Sequence, residues 1–235
     1  MRVGKVTVVG APQSTVPGLA ILEGTIDDAA RTDRMAEATR HSLEFQGYAH
    51  AKVAVSRQPG CFVELQVAVD LGPKFHIDRI EFQTADDFPA AERLSVIEDA
   101  LGTVNTVGGV YIEYRLTRAL AGLEKRYHDA GWLEAKIAAP IAHYDDPNTV
   151  SVTVPVTAGP RFRVGAIRAR GAGAAARATV LEEIGLEPGA WYDGPTIRNG
   201  IDRARRKLDR AVELRTSLSS DRGEIELEAV LEARP

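Results

Sequence analysis

The sequence of 235 residues has one cysteine and no long apolar run. A single thiol, Cys61, can form neither an internal disulfide nor a cysteine-based metal cluster. Its position at the start of a strand-like run predicts a packed or half-buried side chain. No apolar segment approaches the ~18–20 residues that a helix needs to cross a bilayer. The N-terminus, MRVGKVTVVG, lacks the apolar core and cleavage site of a signal peptide. The chain is therefore either cytoplasmic or a part of a longer exported protein, and the repeats described below favour the second.

An excess of charge of one sign is also absent, since the formal net charge is −4. Nucleic-acid-binding domains usually present a basic face, so we expect no nucleic-acid partner. The basic run at 198–210 contains Asp202 and Asp209, which is typical of a solvated helix face. The five histidines lack the spacing of metal ligands, and no nucleophile elbow or phosphate-binding loop occurs. We therefore expect no catalytic residue, no metal and no cofactor, and we predict that the protein is not an enzyme.

One motif favours the alternative of a nucleotide-binding enzyme. GAGAAA at 171–176 lies between a predicted strand and a predicted helix, and it formally fits the dinucleotide-binding pattern. That pattern also requires a second strand that ends in an acidic residue ~20 residues later. Residues 185–195 instead resemble a loop around Asp193. The sequence therefore favours an ordinary helix start at this position.

Two pairs of motifs recur along the chain. GYAHAKV at 47–53 resembles GWLEAKI at 131–137, and VDLGPKF at 69–75 resembles VTAGPRF at 156–162. A similar strand-like segment follows each Gly-Pro and also begins the chain. The repeating unit is longer than the ~20–50 residues of most solenoid repeats, so we predict a string of domains. The repeats define three modules: 1–74, 75–161 and 162–235.

The second module shows the order of its elements most clearly. A strand at 75–83 precedes two helices, because apolar residues recur at spacings of three and four, and Gly102 is predicted to separate these helices. Two strands with alternating apolar residues complete the module. The helix stripes consist of Ala90, Leu94, Ile97 and Leu101, and of Ile112, Leu116, Leu120, Leu123 and Tyr127. The strands contain Leu133, Ala135 and Ile137, and then Val150, Val152, Val154 and Val156.

The other two modules follow the same order of strand, helix, helix, strand, strand. In the third module helices are predicted at 175–184 and 194–209, before a hairpin that turns at Asp221-Arg222-Gly223. In the first module the helices are predicted at about 17–24 and at 32–46. In the second module Pro155 lies inside the last strand, where its missing N–H predicts a bulge or a position without a ladder bond.

The repeated heptad has a structural explanation. We interpret it as a corner at which the glycine ends the second helix and the aromatic residue covers the end of the core. The alanine and the β-branched residue then point inward from the new strand, and the lysine points to solvent. The Gly-Pro motifs are interpreted as corners that join one module to the next. The corner residues are Gly47, Tyr48, Gly72, Pro73, Gly131, Trp132, Gly159 and Pro160.

The combination of GYAHAKV with VDLGPKF, and of GWLEAKI with VTAGPRF, resembles the POTRA (polypeptide-transport-associated) domain. The resemblance covers essentially the whole chain. It implies an α+β fold of three tandem β-α-α-β-β domains, each a three-stranded mixed sheet with two helices on one face and the last strand at its centre. The third module has KLDRAVEL at 207–214 in place of the Gly-aromatic corner, and it is similar to the barrel-proximal type of this domain.

Such domains occur in tandem on the periplasmic side of outer-membrane β-barrel assembly and translocation proteins of the BamA and TamA type. The resemblance implies a periplasmic arm, attached to the outer membrane through a β-barrel domain C-terminal to this region. Its partners would be unfolded outer-membrane or secreted polypeptides and accessory envelope proteins. Two alternatives stay open, namely the arm of a two-partner-secretion pore and a freestanding envelope scaffold with POTRA domains and no barrel.

The family implies binding by β-augmentation, in which an extended client segment adds to a sheet edge. The expected edges are 50–56, 133–139 and 212–218. Alternatively, these edges are only solvated, and Lys52 and Lys136 protect them against aggregation. The joints contain no Ser/Gly-rich linker, which favours an elongated, semi-rigid arm. The candidate client-binding residues are Ala51, Lys52, Val53, Ala54, Val55, Ala135, Lys136, Ile137, Val212 and Leu214.

Overall fold

The computed structural model describes residues 1–16, 18, 21–101 and 107–232, without the side chains of Gln13 and Asp145. The strands are β1 (Val3–Val9), β2 (Lys52–Gln58), β3 (Val63–Asp70), β4 (His76–Gln83), β5 (Lys136–Ile137), β6 (Ile141–Asp146), β7 (Thr149–Thr157), β8 (Arg163–Arg170), β9 (Val212–Ser219) and β10 (Glu224–Leu231). The α-helices are α1 (Ala29–Phe45), α2 (Ala90–Leu101), α3 (Glu113–Asp129), α4 (Ala174–Ile184) and α5 (Gly194–Leu208), and a short 3-10 helix spans Gln13–Thr15.

Part of the prediction lies outside the described residues. This applies to Gly102, to residues 17, 19 and 20 of the first predicted helix, and to residues 233–235 at the end of the third module. Residues 21–24 of the predicted first helix form a turn.

The last strand of each module lies at the centre of a sheet. The order is β1–β3–β2 in the first sheet and β8–β10–β9 in the third, and β7 pairs with β4, β5 and β6 in the second. In the first and third sheets the central strand is parallel to the first strand of its module and antiparallel to the second. These mixed sheets confirm the predicted α+β fold, except that the second sheet has four strands where three were expected.

The central strands of the first and third sheets, β3 and β10, show why the sequence specifies the pairing. Side chains on a strand alternate between the two faces of the sheet, and the apolar residues of β3 and β10 all fall on one face. The other face carries mainly polar side chains. The buried residues are Val63, Leu65, Val67 and Val69 in β3, and Ile225, Leu227, Ala229 and Leu231 in β10.

The chain divides into two compact units. In the first unit, buried residues of β1, α1 and β3 form one hydrophobic cluster, which includes Leu43 and Leu65. In the second unit, β8, β10, α4 and α5 form another, which includes Phe162 and Ile197. The three domain boundaries from the sequence stay a prediction. The first unit comprises Met1–Phe82, Leu94–Leu120 and Ala139–Val154, and the second comprises Gln83–Arg93, Ala121–Ala138 and Pro155–Pro235.

The strand predicted at 133–139 is much shorter than expected. Leu133 lies in a turn, and β5 has only two residues. The N–H of Ala138 donates to the carbonyl of Pro155 (3.0 Å). Because Pro155 has no N–H, it cannot return the second bond of that pair, and the strand ends there. Pro140, which also lacks a donor, separates β5 from β6.

Three predicted positions of side chains are wrong. In α2, Ala90 is exposed and Leu94 is 37% exposed, whereas Arg93 is only 6% exposed and lies on the buried face with Ile97. The thiol of Cys61 is exposed rather than packed, because this residue lies in the bend that precedes β3. Apolar periodicity missed Arg93 because a guanidinium is usually solvated.

Candidate functional site: the open edges of two sheets

The outer edge of the first strand is paired in the same way in each module. A short segment before the second helix runs along this edge and exchanges main-chain hydrogen bonds with it. We call residues 24–27, 108–111 and 189–192 the covering segments. The bonds join Gly24 N–H to Val3 O (2.9 Å), Val3 N–H to Thr25 O (2.9 Å), Gly108 N–H to Ile77 O (2.7 Å), Ile77 N–H to Gly109 O (2.9 Å), Gly189 N–H to Val164 O (2.7 Å) and Val164 N–H to Ala190 O (2.8 Å). The N-terminal half of this edge is therefore occupied.

Sequence reasoning missed the covering segments, although each carries a signal. Every segment begins with a glycine in the left-handed region, with φ of 75° at Gly24, 84° at Gly108 and 90° at Gly189. Residues with a Cβ rarely adopt this conformation. A glycine a few residues before the second helix of each module is therefore the sequence signal of a covering segment.

The opposite edge of the third sheet is the outward side of β9. In an antiparallel pair, residues that bond across the ladder alternate with residues that point outward. Glu232 N–H donates to Ala211 O (3.3 Å), and β9 and β10 continue in the same register. The outward main-chain groups of β9 therefore belong to Val212, Leu214, Thr216 and Leu218.

The same argument applies to β2 in the first sheet. Val63 N–H donates to Arg2 O (2.9 Å), so the odd-numbered residues of β3 point toward β1. The even-numbered residues then bond to their partners in β2, which include Ala54 and Ser56. The alternation leaves the N–H groups of Val53, Val55 and Arg57 pointing outward.

The edge of β5 is already occupied. Its outward N–H, on Ile137, donates to the carboxylate of Glu124 (2.9 Å). A similar contact closes one end of β9, because the guanidinium of Arg205 donates twice to the carbonyl of Val212 (3.1 and 2.7 Å). Among the described strands, β2 and the remainder of β9 therefore offer the longest free edges on this side of the sheets.

The candidate residues from the sequence divide between these environments. Ala51 and Ala135 are buried and precede their strands, whereas Lys52 and Lys136 are exposed. Val53 and Val55 lie on the outward-pointing positions of β2, and Ala54 bonds inward. Val212 and Leu214 occupy outward-pointing positions of β9. The position of Lys52 at one end of β2 leaves most of that edge free of lysine.

The two repeated motifs contact each other at both joints. Lys74 lies over the ring of Tyr48, with its Nζ 4.7 Å from the ring centroid. The guanidinium carbon (Cζ) of Arg161 lies 4.7 Å from the ring centroid of Trp132 and 4.9 Å from that of Trp191. The basic residue after each Gly-Pro therefore forms a cation–π contact with the aromatic residue of the preceding heptad. Sequence reasoning identified both motifs but missed this contact, for which their recurrence together was the signal.

The four corner glycines all lie in the left-handed region of backbone conformation. Their φ values are 95° at Gly47, 62° at Gly72, 103° at Gly131 and 67° at Gly159. Gly131 O also accepts a hydrogen bond from Phe162 N–H (2.8 Å).

We expect replacement of Arg161 by methionine to lower the free energy of unfolding by about 1 kcal/mol. The change keeps an apolar stem but removes the charge over two tryptophans and the hydrogen bond from Arg161 Nε to Ala130 O (3.0 Å). Guanidinium denaturation followed by tryptophan fluorescence measures the effect. Arg206→Met, at an exposed position of α5, is the control. Equal stability of the two variants would contradict the stabilising role of this contact.

A buried polar cluster in the second unit was not found from the sequence. Arg93 donates from Nη2 to Asp86 Oδ1 (2.5 Å) and from Nε to the Tyr127 hydroxyl (2.7 Å), which donates to Asp86 Oδ2 (3.1 Å). Burial alone would raise the pKa of Asp86, but hydrogen bonds from the Thr84 hydroxyl, Phe88 N–H and Arg93 outweigh burial and lower it. The hydrogen bonds of this cluster join three largely buried side chains, so we interpret it as a stabilising element of the fold.

The glycine-rich motif at 171–176 has a local structural cause. Gly171 has a φ of 79°, and a Cβ at this position would lie 2.2 Å from the carbonyl of Leu231. Gly10, at the end of β1, has the same relation to the carbonyl of Val69. The two backbones thus approach closely where the first strand of the first and third modules ends, and this accounts for the glycine without a nucleotide. Among the described residues, no three His, Cys, Asp or Glu side chains are grouped to hold a metal.

Similarity to known proteins agrees with this geometry. The family model described as POTRA, surface antigen variable number repeat, matches residues 75–159. The fold is similar to POTRA domains 3–5 of BamA from Haemophilus influenzae, with a TM-score of 0.50, 19% identity, and coverage of 99% of this chain and 96% of that one. POTRA domains 1–3 of the periplasmic domain of Omp85 from Anabaena match with a TM-score of 0.46, 17% identity, and coverage of 100% and 96%.

In the comparison with curated proteins, no sequence matches the chain. None of the helices in the described part of the chain combines the length and apolar character needed to span a membrane. The match at 75–159 and the likeness of the whole fold lead to one conclusion: residues 75–159 match the POTRA family model, and the chain has a fold similar to that of tandem POTRA domains.

Proposed function

We propose that the chain is the periplasmic arm of an outer-membrane protein assembly or translocation factor, and that it binds unfolded polypeptides by strand addition at β2 and β9. The observation that carries this proposal is the one-sided pairing of the sheets. The covering segments occupy the outer edge of the first strand, whereas the outward groups of β2 and β9 have no main-chain partner among the described residues.

The chemistry of these edges suits clients of diverse sequence. Main-chain N–H and C=O groups are the same in every polypeptide, so an added strand gains affinity with little demand on its side chains. The edge of β9 offers the groups of Leu214, Thr216 and Leu218, and Leu218 is 48% exposed. In this proposal the arm acts as a scaffold and carries out no catalysis.

The wider setting of the arm rests on the POTRA match. We propose that it is attached to the outer membrane through a β-barrel domain C-terminal to this region, and that accessory envelope proteins also bind to it. The likeness to BamA POTRA domains supports this setting.

A peptide titration tests strand addition. The probe is a ten-residue peptide of alternating apolar and polar residues with a lysine at each end, and NMR follows the amide signals of the whole chain. We expect shifts at Val53, Val55 and Arg57, or at Leu214, Thr216 and Leu218. Replacement of Thr216 by proline removes one outward donor without removing a bond to β10. It should weaken binding at β9 roughly 2–10-fold, since one hydrogen bond contributes ~0.5–1.5 kcal/mol.

Two controls separate main-chain pairing from other contacts. Thr216→Ala keeps the N–H and should bind within about twofold of the original chain. The same peptide with N-methyl groups on alternate residues cannot pair along one side and should bind more weakly at both edges. Absence of shifts in both strands, or equal binding of the two peptides, would refute the proposal.

A further inference from the structure

An aromatic pocket with acidic walls lies within the first unit. Its volume is about 370 Å³, which is within the range of ~300–1,000 Å³ that is usual for ligand sites. Its lining contains two carboxylates and a histidine but neither lysine nor arginine, among the described residues. The aromatic and acidic residues of the lining are Phe45, Tyr111, Tyr114, Tyr144, Glu44 and Glu113.

Three of the aromatic side chains that line the pocket are exposed. Phe45 is 46% exposed, Tyr114 is 55% exposed and Tyr144 is 39% exposed. Phe45 and Tyr114 meet edge to face, with ring centroids 4.8 Å apart. Aromatic rings offer a negative face to a cation, so these side chains form a surface that suits a planar positive group.

Tyr111 is buried in the wall of the pocket with an unsatisfied hydroxyl. The residue is 1% exposed, and its hydroxyl has no hydrogen-bond partner among the described residues. Buried polar atoms without partners are rare and costly. Burial first, then the negative charge of Glu113 and the neighbouring Tyr144, raise the pKa of Tyr111. The hydroxyl therefore stays protonated, and its acceptor is unused among the described residues.

The two carboxylates differ in their surroundings. Glu44 pairs with Arg40 and lies 3.0 Å from His41 Nδ1. Glu113, the first residue of α3, makes no ion pair with another described residue. An unpaired carboxylate beside aromatic rings favours a cation in the pocket.

We propose that this pocket binds the guanidinium group of an arginine side chain on a client polypeptide. A guanidinium is planar, stacks on aromatic faces and presents several N–H donors in fixed directions. It can stack on the exposed rings while it donates to the carboxylate of Glu113, and a turn of the buried Tyr111 ring would bring the phenolic oxygen within its reach. This inference rests on the proposed binding of unfolded polypeptides, to which it adds a preference for segments that contain arginine.

The test compares two short peptides on the whole chain. Acetyl-Gly-Leu-Arg-Leu-Gly-amide is titrated against the same peptide with citrulline, which has the shape of arginine without its charge. We expect shifts at residues 41–49 and 111–117 and about tenfold weaker binding of the citrulline peptide. Glu113→Gln should remove most of this difference. Glu98→Gln, at an exposed position of α2, should leave it unchanged.

Tyr111→Phe gives a second, independent measurement. Loss of the unsatisfied hydroxyl should raise the thermal midpoint of the free chain by roughly 2–4 °C, while it weakens binding of the arginine peptide several-fold. A lower midpoint would show that the hydroxyl is already bonded, and it would overturn the inference.

The remaining outcomes are equally decisive. Equal binding of the two peptides, or no effect of Glu113→Gln, would show that the pocket does not select a cation and would overturn the inference. If the longer peptide still shifts the β2 or β9 amides in that case, the proposed strand addition stands. Binding in the pocket without shifts of the β2 or β9 amides would support the preference for arginine and would refute the proposed strand addition.

Discussion

Replacement of Asp86 by alanine is expected to lower the free energy of unfolding by about 3–5 kcal/mol. The side chains of Asp86 and Arg93 are 5% and 7% exposed, so the substitution removes a carboxylate that is paired with a buried guanidinium. It also leaves Tyr127 without the acceptor of its hydroxyl proton. Guanidinium denaturation followed by tryptophan fluorescence measures the loss, because Trp132 and Trp191 both lie in the second unit.

A neighbouring aspartate provides the matched control. Asp87 is exposed, and Asp87→Ala should change stability by no more than about 0.5 kcal/mol. The double variant Asp86→Leu with Arg93→Met removes both charges and should recover much of the stability, since apolar groups often replace a buried ion pair at little cost. If Asp86→Ala is no worse than Asp87→Ala, the cluster is not stabilising.

The pH dependence of this effect has a definite sign. The pKa of Asp86 is lower in the folded chain than its ordinary value. The stability that the carboxylate contributes is therefore complete above about pH 4 and is lost as the pH falls through the folded-state pKa. The difference between the original chain and Asp86→Ala should narrow when denaturation is repeated below pH 4.

Two glycines in helix interiors are expected to respond to alanine with opposite signs. Gly200, in α5, is buried, and a Cβ there would lie 2.3 Å from the carbonyl of Glu183 and 2.7 Å from the Cα of Ile184. Backbone atoms at these distances cannot move aside cheaply. Gly200→Ala should therefore lower the free energy of unfolding by about 2–3 kcal/mol, despite the higher helix propensity of alanine.

Gly122, in α3, is the matched control. A Cβ at Gly122 meets no atom within 4 Å, and the residue is exposed. Gly122→Ala should raise the free energy of unfolding by about 0.5–1 kcal/mol, because alanine favours the helix and restricts the unfolded chain. Urea denaturation of both variants gives the two signs. A loss of stability at both positions would show that the close approach of α4 and α5 is not the cause.

The sequence predicted best those features that depend on local periodicity. The alternation from Val63 to Val69 is enough to define a central strand with one buried face, and the stripe from Ile112 to Tyr127 defines the buried side of α3. These patterns depend only on neighbours along the chain. The order of the elements followed from them together with the repeats, and the fold class was implied by the resemblance to the POTRA domain.

Features that depend on distant partners were not predictable in the same way. Nothing local to Arg93 indicates that Asp86 and Tyr127 surround it. The shortness of β5 follows from Pro155, which lies in another strand, and the covering segments have no apolar pattern because they bond through their main chain. Of the candidate site, the sequence indicated which strands form edges but not which edges are free.

The covering segments have a consequence for self-association. A sheet with two free borders can form an open-ended assembly, because it can pair with another chain on each side. Here the first-strand border of the sheets is partly taken up by the chain's own backbone, so in the first and third sheets the longer free border lies on the opposite side. Two copies that met by their free borders would form a closed pair. A chain exposed to many extended polypeptides would in this way be guarded against growth into fibres.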